Sequence, residues 1–465
     1  VGDTTYSWHN YQLSGKYNRQ FTPSFSGEFV LGSSSYGYDM SNDDPRTASN
    51  LSFNLLTSAF KSNFVLDKGA HQYSFGWDLH LYHIQPGRLT PNSEESNVNE
   101  FAMDKQVSAE NAFYISDTWT YSDRLTLEYG IRLPMFSTFG TATSYEYAPD
   151  QPREQFSITD TISFSAWQPT KFYAGLEPRA SLIYKLTDQS SFKVGYNTVF
   201  QYLHLISNST AVTPVDIWQP SGKYFKPQRA DQLSMGYAWD SEKGTYSAST
   251  EVFYKNINNL LDFKDGAELL LNEHLETDLL QGNGNAYGVE LTLSKNIGRL
   301  SGDANYTYSR SFRKIDGNFN SETINDGEKY PSNFDQPHIA NLNWRWMISR
   351  RYSFTGNFTY HTGRPITIPL SAIQIENQSI AYFSKRNQYR IPDYHRLDLA
   401  FVIEGNNKRS RKWQGTWVFS VYNVYARRNP YTIFFQQNDE GVLQPYQLSI
   451  IGTAFPSVSY NLKIK

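Results

Sequence analysis

Between Ala286 and Phe312 the chain reads AYGVELTLSKNIGRLSGDANYTYSRSF, and its side chains change character with a period of two. Ala286, Gly288, Glu290, Thr292, Ser294 and Asn296 fall on one side; Tyr287, Val289, Leu291, Leu293 and Ile297 fall on the other, with Lys295 the exception. The second half repeats this, with Ser301, Asp303, Asn305, Thr307, Ser309 and Ser311 opposing Leu300, Ala304, Tyr306, Tyr308 and Phe312. Successive side chains of a strand point to opposite faces of a sheet, so the stretch predicts two strands joined near Asn296–Arg299. Two arrangements satisfy it: a soluble sheet with its apolar face on a core, or a membrane barrel with its apolar face on lipid. The local pattern does not separate them.

The same alternation recurs along the chain and predicts seventeen strands, at 4–18, 22–38, 50–66, 69–84, 107–121, 123–138, 174–187, 189–203, 226–241, 244–263, 283–297, 299–314, 336–348, 351–364, 391–405, 413–436 and 454–464. The best helical periodicity, AELLLNEHLETDLL at Ala267–Leu280, predicts a short helix inside a loop. The connections say more than the strands. Short links at 19–21, 67–68, 122, 188, 242–243, 298, 349–350 and 406–412 alternate with long ones at 39–49, 85–106, 139–173, 204–225, 264–282, 315–335, 365–390 and 437–453. A soluble sandwich has no reason to sort its loops in this way. An outer-membrane barrel does so by construction, with short periplasmic turns and long extracellular loops.

Composition agrees with the barrel. Aromatics reach 16% of the chain, with 34 Tyr, 30 Phe and 10 Trp, against 39% hydrophobic residues in all. Tyr and Trp favour boundaries that are apolar on one side and wet on the other. No run approaches the length of a transmembrane helix, but barrel strands need only about 9–11 residues, half of them polar. The absence of Cys excludes disulfides, thiolate metal sites and a Cys nucleophile, and the formal net charge of -3 offers no basis for nucleic-acid binding. The final strand, SVSYNLKIK, alternates to the last residue. If it descends to the periplasm, counting back makes the first strand descend too. An odd count does not close a typical bacterial barrel, so further strands are expected upstream of Val1. Tyr287, Val289, Leu291, Tyr306 and Tyr308 are then expected to face lipid, and Glu290, Asp303 and Asn305 a wet interior.

No constellation points to enzymatic chemistry. GNGNAYG, Gly282–Gly288, opens a strand where a phosphate site needs a helix N-terminus. His80 and His83 are three apart, which on a strand sends them to opposite faces. GxSxG and HExxH are both absent. Arg396 and Asp398 share a face opposite Leu397, Leu399 and Phe401, as Asn341, Asn343 and Arg345 share one opposite Leu342, Trp344 and Trp346. A row of polar and charged groups on one face argues for a water-lined or plug-filled interior, where ion pairing or plug contact is the plainer role and direct ligand contact the sharper one. The outward Trp344, Trp346, Trp413 and Trp417 are expected in an interface girdle. Trp218, Tyr224 and Phe225 lie in or beside a long loop, where aromatics either stack on a ligand or pack the loop on itself.

Several phrases, among them FKPQRADQLSMGY (225–237), NAYGVELTLSKNIGRLSGDANYTYSRS (285–311), YPSNFDQPHIANLNW (330–344), FTYHTGRPITIP (358–369), YHRLDLAF (394–401) and VFSVYNVYARRNPY (418–431), stand in an order that resembles the barrel of a TonB-dependent outer-membrane receptor of the Bacteroidetes type. The resemblance is densest from about residue 175 onward. It implies an all-β, transmembrane antiparallel barrel of about twenty-two strands plugged from the periplasmic side. Residues 1–465 would be part of that barrel, with the plug domain and first strands upstream. One departure is that such receptors usually close on an aromatic residue, whereas here Ile464 holds the last outward position. The implied function is import of a scarce nutrient, without catalysis and without a cofactor. TonB would act through an upstream segment, outer-membrane lipid would surround the barrel, and a surface lipoprotein could serve as a lid. The polar path would be lined by Glu290, Asp303, Asn305, Asn341, Asn343, Arg345, Arg396 and Asp398. Two other readings remain: a barrel that no longer transports and scaffolds an outer-membrane assembly, and a soluble secreted sheet protein that binds glycans.

Overall fold

A computed structural model describes residues 4–140, 143–206, 217–375, 378–405, 413–438 and 443–464. Among them, seventeen strands form the main wall. The first six are β1 (Thr4–Thr22), β2 (Phe25–Asn42), β3 (Ser49–Lys68), β4 (His71–Pro91), β5 (Gln106–Thr120) and β6 (Leu125–Phe139). The next six are β7 (Glu177–Thr187), β8 (Ser190–Gln201), β9 (Gln228–Asp240), β10 (Tyr246–Phe263), β11 (Leu279–Lys295) and β12 (Leu300–Lys314). The last five are β13 (His338–Met347), β14 (Tyr352–His361), β15 (Tyr394–Glu404), β16 (Trp413–Tyr422) and β17 (Phe455–Ile464). Each pairs antiparallel with the next in sequence, in one meander from β1 to β17. No pairing joins β17 to β1 among the described residues.

The links alternate as expected. Short ones fall at 23–24, 69–70, 121–124, 188–189, 241–245, 296–299 and 348–351; the link predicted at 406–412 lies outside the described residues. At the other end, β2 and β3 run so far that their link shrinks to 43–48, while 140–176, 202–227, 362–393 and 423–454 remain long. At about 3.3 Å per residue, the 20-residue β3 spans about 65 Å. A tilted strand crosses an apolar band of about 25 Å in about 35 Å, so β2–β4 stand well clear of it. Their outward side chains mark the boundary. Phe25, Phe29 and Leu31 on β2 give way to Ser35, Asp39 and Ser41, where Asn54 Nδ2 donates to Ser35 Oγ at 3.2 Å and Ser41 Oγ to Asn50 Oδ1 at 3.0 Å.

The wall's apolar face is uncovered. Tyr287 is 38% exposed, Leu291 42% and Leu342 44%, in a ring of exposed aromatic and aliphatic side chains that includes Trp346, Trp413 and Trp417. Trp344 lies over Gly356, its register partner on β14, with no room for a Cβ between them. The three clusters of buried apolar side chains all lie toward the long-loop end instead.

Two expectations are corrected. The helix predicted over Ala267–Leu280 shrinks to α1 (Leu275–Asp278), because Leu271 takes a positive φ of 53° and β11 already begins at Leu279. The strand predicted over 413–436 stops at Tyr422. Asn423 and Ala426 both adopt φ 54°, and Asn423 Nδ2 caps the turn on Arg427 O at 3.0 Å, so Thr432–Gln437 belongs to a separate loop hairpin with Leu443–Leu448.

Candidate functional site: inner wall and loop chamber

Register places Thr292, Asn305, Asn341 and Thr359 side by side across β11–β14, with Asp303, Asn343, Asn357 and Asp398 in the adjacent row. They hydrogen-bond into a ladder on the inner face. Thr292 Oγ1 donates to Asn305 Oδ1 at 2.9 Å, Asn305 Nδ2 and Asn343 Nδ2 converge on Asp303 Oδ2 at 2.9 and 3.0 Å, and Asn357 Nδ2 donates to Asn343 Oδ1. Arg396 Nε binds Asp398 Oδ2 at 2.9 Å while its Nη1 reaches the hydroxyls of Tyr394 and Tyr422 at 2.7 and 2.5 Å. Asp398 Oδ1 accepts the Asn423 amide at 2.9 Å, and Arg345 pairs with Glu404 at 2.8 Å. Of the predicted inner residues, Asp303, Asn305 and Asn343 are thus bonded together and Arg396 and Asp398 form a second group. Asn341 shares the ladder's face, and Glu290 stands directly opposite Glu251. His80 stacks on Tyr82 on the inner face at 6.1 Å, whereas His83 meets Trp167 edge-on at 6.1 Å on the outer one.

At the long-loop end the buried groups are charges. Asp262 lies fully inside, accepting from Arg313 Nη1 at 3.1 Å, Arg386 Nη1 at 2.9 Å and the Tyr330 hydroxyl at 2.6 Å. Burial alone would raise its carboxyl, but Arg313, Arg386, Tyr330 and the Phe263 amide outweigh that and hold it below the ordinary range. Burial, then Asp262, pushes the Tyr330 hydroxyl up. Arg386 also binds Phe263 O at 2.6 Å and the Asp265 carboxylate, and its guanidinium lies over the Phe263 ring at 4.6 Å. This one cluster therefore joins the loops after β10, β12 and β14. A second joins the same region. Asp335, buried, accepts the Ser311 amide at 2.7 Å and Arg310 Nε at 3.2 Å and pairs with Arg390, which also donates to Gly363 O at 3.0 Å. Lys264 Nζ reaches Glu154 at 2.6 Å, and the Tyr147 hydroxyl reaches Glu276 at 2.8 Å, which ties in the loop after β6. Sequence periodicity put Asp262 and Arg313 on strands but could not find their pairing with Arg386, because a loop contact has no period; Tyr330 and Asp335 both sat inside a quoted family phrase.

The loop aromatics divide. Phe225, expected among the side chains free to stack on a ligand, is only 4% exposed and packs with Ile206, Ile217, Leu269, Leu275 and Leu279. Burying a phenyl ring stabilises by about 1.5–3 kcal/mol, which is why the loop keeps it for itself. Tyr224 packs against the same cluster and donates to Tyr145 O at 2.6 Å. Trp218 rests half-buried on Tyr38, Phe53, Leu55 and Ile84, because the hairpin of Leu203–Ile206 and Ile217–Pro220 reaches from β8–β9 to the inner side of β2–β4. Inside that hairpin His204 bonds Ser221 Oγ at 3.1 Å, and burial pulls its imidazole down to about 4. Between the loops after β10, β12, β14 and β16 opens a chamber of about 810 Å³, whose wall includes Phe263, Arg386 and Phe435.

The meander, the polar inner face and the ion-stitched loops have a counterpart among known proteins: a family model described as TonB dependent receptor-like, beta-barrel, matches residues 2–424. The chain belongs to the TonB-dependent receptor β-barrel family. No curated protein matches it by sequence. Among solved structures it is similar to the ferric-catecholate import receptor Fiu from E. coli K12, closed form, at 15% identity and a TM-score of 0.59 over 98% of this chain and 64% of that one. It is also similar to FpvA of P. aeruginosa bound to heterologous pyoverdines (11% identity, TM-score 0.62, 98% and 56% covered) and to the ferric yersiniabactin uptake receptor FyuA from Yersinia pestis (14%, 0.60, 99% and 61%). At such identities the likeness is one of fold. The chain spans 56–64% of the length of these three receptors. Proteins of the TonB-dependent receptor β-barrel family sit in the outer membrane, which accounts for the uncovered apolar wall.

Proposed function

We propose that this chain is the C-terminal part of the barrel of a TonB-dependent transporter of the Bacteroidetes type, importing a scarce nutrient across the outer membrane. The observation that carries the reading is the coincidence of a hydrogen-bonded polar inner wall on β11–β15 with a loop chamber between the loops after β10, β12, β14 and β16. In this reading about five further strands close the gap between β17 and β1, as an even-numbered, plugged barrel of about twenty-two requires. The exposure of both faces of β1 and of β17 supports that closure. A plug domain would fill the bore, and TonB would engage a segment ahead of it. The ligand would be held by the loops and the plug apex, with a surface lipoprotein as lid. Rearrangement of the energised plug would open a path along Glu290, Asp303, Asn305, Asn341, Asn343, Arg345, Arg396 and Asp398, with no covalent chemistry. Tyr224 and Trp218 would brace the loops that frame the entrance.

Growth of a strain lacking the full gene, on defined single nutrients, tests this. The expected result is loss of growth on one nutrient class, reproduced by disabling TonB and restored by the intact gene. Unchanged growth on every nutrient, together with loss of another outer-membrane protein from its complex, would replace transport with scaffolding.

A further inference from the structure

Resting on the transport reading, we infer that the loop chamber selects an amphiphilic ligand with no net negative charge. At about 810 Å³ the chamber is of the size that encloses a small ligand. Its apolar wall includes Phe263, Ile366, Phe435 and Leu443, and Tyr382 and Phe383, both more than half exposed, stand at it as free aromatic surface. Three charged side chains also reach it: Lys264, Asp265 and Arg386.

Both cations are already matched. Lys264 Nζ donates to Glu154 Oε1 at 2.6 Å and Arg153 O at 3.2 Å, and its side chain is 10% exposed. Arg386 is divided among Asp262, Phe263 O and Asp265, and its side chain is 7% exposed. The Asp265 side chain, by contrast, is 80% exposed, so among the described residues the charge the wall presents to an incoming molecule is negative. A polyanionic ligand would have to compete with Asp262 and Asp265 for Arg386, or with Glu154 for Lys264, and would bring its charge up against the Asp265 carboxylate. A neutral or cationic molecule with an apolar face instead meets Tyr382, Phe383 and Phe435 directly and leaves every ion pair in place, and an ammonium group could share the Asp265 carboxylate.

The test uses the purified full-length protein, immobilised in detergent micelles at pH 7. A mixed peptide and oligosaccharide digest is split by anion exchange into a bound, anionic pool and a flow-through pool of neutral and cationic molecules. Retained compounds are then quantified by mass spectrometry. Retention from the flow-through pool is expected to exceed that from the anionic pool by about tenfold. The Tyr382→Ala and Phe383→Ala double variant should abolish most of it, and Asp265→Asn should lower retention of cationic components by about fivefold while sparing neutral ones. Preferential retention of the anionic pool, or retention from neither, would overturn the inference. Growth that depends on TonB but on an anionic nutrient would overturn it while leaving transport standing; flow-through retention without TonB-dependent growth would do the reverse.

Discussion

The wall of β11–β15 and the loop body at its long-loop end solve opposite burial problems. In the wall, Leu291, Tyr306 and Leu342 look out uncovered, while Asp303, Asn305 and Asn343 look in and bond to one another. In the loop body, Ile206, Phe225 and Leu279 are inside in the ordinary way, and the charged groups buried with them, Asp262 and Arg386, are paired. The two regions differ in solvent. Hydrocarbon rewards an apolar exterior and forbids unpaired backbone, which a closed sheet satisfies; water at the loops rewards an apolar centre, and any ion drawn into it must be matched.

The sharpest way to break the comparison is to remove one buried charge. Asp262→Ala strands Arg313 and Arg386 and should cost the loop body about 3–5 kcal/mol. Hydrogen exchange should show this at 264–278, 315–337 and 362–393 with the strands unaffected; equal loss in β11–β15 would mean that wall and loops unfold as one. Next, Leu342→Arg places a charge in the apolar band and should destabilise the barrel by about 2–4 kcal/mol in denaturant titrations, whereas Asn341→Arg, on the inner face, should cost far less. Acid separates the regions a third way. Because burial lowers His204 to about 4, the unfolded hairpin binds the extra proton first. Its stabilisation is complete above the ordinary pKa of about 6.5 and is lost as pH falls toward 4, by about 3 kcal/mol. Protection factors at Leu203–Ile206 and Ile217–Gln219, exchange taken relative to the intrinsic rate at each pH, should therefore fall in acid, and His204→Gln should flatten the dependence. Smallest of all, Asn343→Ala removes one rung of the inner ladder and should cost about 1 kcal/mol, read as a small shift in the same denaturant midpoint.

The wall was legible in the sequence because a strand exposes its two faces at a fixed period, and a turn of two residues, such as 188–189, leaves no freedom in what it joins. Strand ends were less so. β2 and β3 continue past the membrane boundary, and Asp39 and Ser41, read as loop, form rungs with Asn50 across an emergent ribbon. The loop body was not legible at all. Asp262, Arg313, Tyr330 and Arg386 come from four separate segments, and α1 is cut short by a left-handed Leu271 that helical periodicity cannot foresee. The inner-wall candidates Asp303, Asn305 and Asn343 shared a face by parity alone, but their convergence on one carboxylate needed the register of two strands. Phe225 illustrates the limit, since an aromatic in a loop says nothing of whether it meets ligand or neighbour.

Which side of the wall meets lipid can be measured directly, because residues 1–465 contain no Cys and, with any upstream Cys replaced by Ser, single substitutions carry a spin label cleanly. In reconstituted full-length protein, labels at Leu291→Cys, Tyr306→Cys and Leu342→Cys should collide readily with oxygen, and those at Thr292→Cys, Asn305→Cys and Asn341→Cys with a water-soluble nickel chelate. Reversed accessibility, or no alternation between neighbours, would contradict the inside-out wall on which the whole account stands.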